Sequence, residues 1–215
     1  IAAVRARIDG ACDRADRPHA DVTLIAVSKT HSASTIAAAY GAGIRDFGEN
    51  RVQEALPKIE SLRASGMAPR WHLIGHLQTN KVRAAIEGFD ILHSIDSERL
   101  ARAISERAER PVSVMIEVNI AGEASKFGVA PEEAPKLAER IGGFPNVDLR
   151  GLMTVAPQAD DPEGVRPVFR KLREMRDAIG LTELSMGMTD DFEVAVEEGS
   201  TLVRVGRALF GARAG

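Results

Sequence analysis

Eight short apolar runs, each separated from the next by a helix-length segment, constrain the fold of this chain more than any other feature. The runs cover residues 23–29, 46–49, 71–75, 91–95, 112–120, 149–155, 183–187 and 202–206. Between them, residues 34–42, 50–65, 80–88, 97–109, 131–141, 161–179 and 190–198 carry the apolar spacing of amphipathic helices. A further helix over residues 4–15 precedes the first run. Ser97 before Glu98, Asp160 and Asp161 before Pro162, and Thr189 before Asp190 and Asp191 mark helix starts. Gly88, Gly180 and Gly199 stand where helices should stop.

Alternating strands and helices joined by short loops imply a parallel sheet. A doubly wound open sheet satisfies the same alternation, but a count of eight favours closure, which leaves no exposed edge. The expected fold is therefore α/β: a (β/α)8 TIM-type barrel with an extra N-terminal helix. No linker or low-complexity tract divides the chain, so residues 1–215 are read as one domain.

The composition, 44% hydrophobic and 27% charged, is that of a globular chain. A net charge of −3 gives no electrostatic reason to expect nucleic acid or an anionic membrane as partner. No apolar run approaches the ~20 residues of a membrane span. The lone Cys12, read as a small core residue, excludes an internal disulfide and suits a reducing compartment. A cytoplasmic monomer is the expectation.

In such a barrel the functional groups lie at the carboxyl ends of the strands. Lys29 closes the run Leu24-Ile-Ala-Val-Ser28. Desolvation there disfavours the ammonium, and a neutral amine attacks an aldehyde, so the position suits a Schiff base. The alternative is a lysine reaching into water. Phosphate commonly binds at the loops after strands seven and eight, through glycine amides and a helix start. Ser185, Gly187 and Thr189 occupy the first of these loops and Gly206 the second. Arg204 lies two residues before Gly206 on the same strand face and demands an acceptor. A phosphate, a carboxylate or a pyridine nitrogen would serve, as would a structural ion pair with Glu117 or Glu49. His72 and His76 are four apart but on a strand, where that spacing makes no metal pair. His76 is available to a ligand, and His93 reads as a satisfied structural residue.

Several stretches carry a family resemblance. They are Ala26-Val-Ser-Lys-Thr30, Phe47-Gly-Glu-Asn-Arg-Val-Gln-Glu54, Trp71-His-Leu-Ile-Gly-His-Leu-Gln-Thr-Asn-Lys81 and Ser185-Met-Gly-Met-Thr-Asp-Asp-Phe-Glu193. Val118-Asn119 with Ser125-Lys-Phe-Gly128, Gly151-Leu-Met-Thr154 and Val203-Arg-Val-Gly206 continue the set. Together they resemble the pyridoxal phosphate homeostasis protein family (the YggS/PROSC group), whose barrel is akin to the N-terminal domain of alanine racemase.

The resemblance implies pyridoxal 5'-phosphate (PLP) as a Schiff base on Lys29, with Ser185, Gly187 and Gly206 at the phosphate and Arg204 at the pyridine nitrogen. It places Asn50, His76 and Met153 around the ring, and Lys126 as a lysine that influences cofactor exchange. His31 departs from the family, many of whose members have a basic residue there. The implied role is a carrier and regulator of PLP, affecting amino-acid and keto-acid balance, with apo PLP-dependent enzymes as recipients.

The alternative is a weak amino-acid racemase using Lys29. A racemase needs an acid or base on each face of the substrate carbon. In alanine racemase the second comes from a tyrosine on another domain, whereas the single tyrosine here, Tyr40, falls in the first barrel helix. A third reading, a Schiff-base aldolase or sugar-phosphate isomerase, would use the same lysine and phosphate cradle.

Overall fold

The computed structural model describes residues 1–123 and 126–211, so Ser125 of the quoted motif lies outside the described residues. Eight parallel strands close into a barrel in chain order. They are β1 (Thr23–Val27), β2 (Asp46–Glu49), β3 (Arg70–Leu73), β4 (Ile91–Ile95), β5 (Val112–Glu117), β6 (Val147–Met153), β7 (Glu183–Ser185) and β8 (Leu202–Val205). Closure is made by β1 against β8, with Ile25 opposite Arg204 and Ala26 opposite Val205. Helix α1 (Ala2–Arg14) precedes the barrel. The helices that follow are α2 (Ala33–Gly41), α3 (Val52–Ala64), α4 (Val82–Gly88), α5 (Glu98–Arg107), α6 (Ala134–Gly142), α7 (Arg166–Ile179), α8 (Phe192–Glu197) and α9 (Arg207–Phe210).

Several of the expected caps operate, among them Asp161, whose Oδ1 accepts from Glu163 N at 3.0 Å in the turn leading into α7, and Gly199, which follows α8 at φ 96°. Ser97 Oγ accepts from the Leu100 amide at the start of α5, and Gly180 ends α7 in the left-handed conformation at φ 80°. Thr189 does not begin a helix. Asp191 Oδ1 accepts from Met188 N at 2.6 Å, a side-chain turn that delays α8 to Phe192.

Strand alternation sorts the core into two layers. Outward residues such as Ala26, Phe47, Leu73, Leu92, Val114 and Leu152 pack under the helices. Inward residues Ile25, Met115, Met153 and Leu202 fill the barrel. A third cluster joins α1 through Val4, Ile8 and Cys12 to Phe192 of α8 and Val203 of β8. Ion pairs Arg7–Glu193 and Arg14–Glu197, each at 2.6 Å, run along that seam. Several strands stop one to three residues before the sequence pattern does. Polar residues of the motifs therefore sit in the turns just beyond the strands, where backbone is free to bend toward a ligand.

Candidate functional site

The rim of the barrel brings together the turns after β1, β7 and β8 on one side. Lys29 is half-buried in the turn after β1, on the inward parity of Ile25 and Val27. Gly206 packs beside Val27, to which a Cβ built on it would come no closer than 3.4 Å. The Arg204 amide donates to Gly187 O at 3.0 Å, tying the loop after β7 to β8. Gly187 needs to be glycine for a local reason: its φ is +93°, and a Cβ would lie 2.6 Å from Ala195 Cβ and 3.0 Å from Phe192 Cα. Gly206 has an ordinary negative φ of −115° and space for a Cβ. The protein's own packing therefore supplies no steric reason for glycine at that position.

The Lys29 turn is clamped from behind. Ser28 Oγ donates to Glu49 Oε1 at 2.7 Å, while Lys58 Nζ donates to Ser28 O at 3.3 Å, to Glu49 Oε1 at 3.0 Å and to Glu54 Oε1 at 2.9 Å. On the other side of Lys29, the Thr30 amide donates to Glu54 Oε1 at 2.6 Å. Thr30 has φ +70°, an uncommon conformation for a β-branched residue, and the clamp holds it there. The two carboxylates respond differently to the same lysine. Burial pushes the Glu49 carboxyl up, whereas the Thr30 amide holds the more exposed Glu54 below the ordinary range.

Arg204 is 4% exposed and points up the barrel interior. Its Nη1 donates to Ser185 Oγ at 2.5 Å and its Nη2 to Thr154 O at 2.8 Å, both neutral oxygens. Glu117 and Asp191 act on it only through space, so the ion pair weighed from sequence is replaced by bonds to neutral groups. Burial pushes its pKa down to about 10, which leaves the guanidinium charged at neutral pH.

Ser185 is wholly buried, with its hydroxyl held between Arg204 and His93 Nδ1. Both contacts lie within the barrel interior. Met153 is 1% exposed and forms part of the barrel's apolar floor. Asn50 lies at the rim, its Oδ1 buried with no hydrogen-bond partner among the described residues. Gly75 is what lets the loops of β2 and β3 meet there, since a Cβ on it would stand 2.3 Å from Asn50 O. His76 stacks on Phe127 at 4.1 Å and places Nδ1 3.4 Å from Asp96 Oδ2. Lys126 bonds Glu123 Oε1 at 2.7 Å and Val155 O at 3.4 Å. His31 turns toward α9 and packs against Phe210 at 4.7 Å. Tyr40 lies outside the barrel on α2 under the Arg45 guanidinium. Among the described residues, no cluster of three or more His, Cys, Asp or Glu is placed to hold a metal.

Sequence reasoning weighed Glu117 only as a partner for Arg204. It is the last residue of β5, and burial pushes its carboxyl up to about 7, a shift that Arg204 opposes. A folded-state value above the ordinary 4.5 means that its contribution to stability is full below about pH 4.5 and is lost as pH rises through about 7. Across that window the wild-type protein should lose up to about 3 kcal/mol relative to Glu117→Gln. Denaturant unfolding of both proteins from pH 4 to pH 8 measures the difference, and a pH-independent gap would exclude the effect.

Over residues 1–214 the chain matches the family model of the alanine racemase N-terminal domain. It is 46% identical over 222 residues to the pyridoxal phosphate homeostasis protein of Aquifex aeolicus, covering 99% of this chain and 96% of that one. The chain belongs to the pyridoxal phosphate homeostasis protein family. The Pseudomonas aeruginosa member is also 46% identical, over 218 residues, covering 99% of this chain and 94% of its own. PipY of Synechococcus elongatus, solved with PLP bound, is 37% identical with a TM-score of 0.84, covering 97% of this chain and all of that one. Alanine racemase from Corynebacterium glutamicum, 19% identical with a TM-score of 0.72, shares the fold over 62% of its length. The closed eight-stranded barrel is thus the one common to this family and to the racemase domain.

Proposed function

We propose that this protein binds pyridoxal 5'-phosphate on Lys29 and acts as a carrier in PLP homeostasis. The observation that carries the reading is the convergence of Lys29, the Arg204 guanidinium and the Gly187 and Gly206 turns at adjoining strand ends. The name of its relatives and the bound PLP in PipY support it. The orphaned Asn50 Oδ1 and the spare volume at Gly206 fit a bound group.

When bound, PLP supplies an aldehyde that an amine can capture and a ring that can accept charge. Lys29 Nζ is the tether for that aldehyde, presented by a turn clamped at Ser28 and Thr30. Arg204 donates from its remaining N–H groups and, being charged at neutral pH, offers no acceptor. Facing the ring nitrogen, it would keep that nitrogen unprotonated and so restrain carbanion chemistry. The backbone amides of the Gly187 and Gly206 turns, together with the first turn of α9, are the groups we assign to the phosphate. Asn50, His76 and Met153 would line the space around the ring. With Tyr40 outside the barrel, no tyrosine among the described residues opposes Lys29, which supports storage and delivery over turnover. Delivery is to apo PLP-dependent enzymes, by a monomer in the reducing cytoplasm.

Purified protein should show a visible Schiff-base band and should activate an apo-enzyme faster than an equal concentration of free PLP. Failure to retain any PLP would overturn the reading. Alanine racemisation proportional to protein and lost in Lys29→Ala would favour the enzyme instead. Gly206→Ala separates binding from folding: unfolding free energy should change by about 0.5 kcal/mol or less. PLP affinity should fall at least about tenfold as the methyl enters the phosphate's space. Equilibrium dialysis checks the second value, and unchanged affinity would remove Gly206 from the phosphate site.

A further inference from the structure

A line of polar side chains runs through the barrel interior beneath Arg204. It starts at the base, where Asp46 Oδ1 lies 3.0 Å from His72 Nε2 and 3.6 Å from the exposed Arg70 Nη1. His72 Nδ1 is 2.9 Å from His93 Nε2, and His93 Nδ1 is 2.8 Å from Ser185 Oγ. Ser185 Oγ then meets Arg204 Nη1 at 2.5 Å. His72, His93 and Ser185 are wholly buried, so bulk water does not complete their hydrogen bonding.

Proton placement along this line follows from its ends. A guanidinium only donates, so Ser185 Oγ accepts from Arg204, and the hydroxyl hydrogen has His93 Nδ1 as its acceptor. Burial holds His93 well below the ordinary imidazole range, and the Arg204 charge acts in the same direction. A neutral His93 that accepts at Nδ1 carries its hydrogen on Nε2 and donates to His72 Nδ1. His72 in turn donates from Nε2 to the Asp46 carboxylate, which only accepts. Run in reverse, the line would strand the Ser185 hydroxyl hydrogen without an acceptor. It would also require a charged His72, or else set a bare nitrogen against the Asp46 oxygen.

We propose that Ser185, His93, His72 and Asp46 are positioning residues, a single polarised hydrogen-bond relay that spans the barrel and fixes the Arg204 guanidinium at its mouth. Each donor points toward Asp46, so Arg204 Nη1 always finds an accepting oxygen and the guanidinium plane cannot turn over without breaking the chain. The relay would tie the ring-nitrogen contact to a carboxylate at the opposite end of the barrel, close to solvent. Its consequence for PLP rests on the reading that Arg204 faces the ring nitrogen; the relay itself does not.

Two measurements on the full chain test it. Nitrogen-15 spectra of histidine-labelled, PLP-free protein at neutral pH should show His72 and His93 both neutral and both protonated on Nε2. An imidazolium at either residue, or a proton on Nδ1 of either, would overturn the relay. This readout needs no variant. In the PLP-loaded protein, Ser185→Ala should shift the visible absorbance maximum and weaken PLP retention about tenfold, and Ser185→Thr, which restores a hydroxyl, should recover both. A Ser185→Ala protein with wild-type spectrum and affinity would remove the positioning role. The expected tautomers in a protein that never takes up PLP would sustain the relay while overturning the cofactor reading.

Discussion

Lys29→Ala is expected to abolish the visible Schiff-base band completely while the barrel remains folded. On the proposed reading the Lys29 amine is the attachment point, and no other residue of β1 or its turn offers one. The backbone that presents it is held independently of its side chain. Ser28 Oγ bonds Glu49, and the Thr30 amide bonds Glu54, whether or not residue 29 carries an amine. The stability change should therefore be about 1 kcal/mol or less, in keeping with a half-buried rim position. Absorbance and circular dichroism on the same samples distinguish the outcomes. A persistent band would place the attachment elsewhere, and loss of the fold would mean that Lys29 serves the barrel itself.

Lys58→Met should produce the largest loss of stability among the substitutions considered. Lys58 is 12% exposed and answers two carboxylates, one of them, Glu49, fully buried. Removing the cation leaves those charges uncompensated, for which a penalty of about 3 kcal/mol is typical. The sign of the pH dependence is fixed. Without Lys58, the folded-state value of the buried Glu49 rises further and that of Glu54 loses part of its depression, so the deficit is greatest above neutrality and shrinks as acid protonates Glu49. Glu49→Gln in the Lys58→Met background should recover much of the loss, because an amide oxygen still accepts from Ser28 Oγ without carrying charge. Chemical denaturation between pH 5 and pH 8 measures all three proteins. A Lys58→Met protein as stable as its parent would show that the clamp contributes nothing. The same variant should retain PLP less firmly, since Ser28 O and Glu54 would no longer be drawn together behind Lys29.

The strand count, the parallel order and the positions of Lys29, Gly187 and Gly206 at the rim are all legible in the sequence because each follows from local pattern. Apolar runs, helix periodicity and turn glycines act over a few residues, and a strand end is visible wherever an apolar run gives way to polar residues. Strands stop up to three residues before the apolar pattern does for the same reason: apolar character continues into turns that no longer pair. The local pattern marks Thr189 as a helix start, but Asp191, which draws the Met188 amide into its own turn, moves that start to Phe192.

Side-chain direction divides the candidate site more sharply. Ser185 sits in a motif that suggests a phosphate contact, but parity alone does not say how deep along the barrel axis a residue falls. The short β7 sets its hydroxyl beside His93 of β4, 92 residues away in sequence. Shifts in register between β4 and β5 near Leu92, and between β5 and β6 near Val114, set which inward residues share a level. Such offsets carry no clear local signature. The Glu49–Lys58–Glu54 clamp had a partial one: Glu54 and Lys58 are four apart on α3, a spacing that pairs side chains along a helix. That the pair would close over Glu49 and both flanks of Lys29 was not visible.

The sequence by itself thus determined that this chain forms an eight-stranded barrel and that a lysine stands at the end of its first strand. Periodicity and turn chemistry are properties of neighbouring residues. Only the tertiary structure decided what holds that lysine's turn from behind and what lies beneath Arg204. Both depend on side chains from distant strands and helices meeting in a closed interior, where burial makes each polar group find a partner.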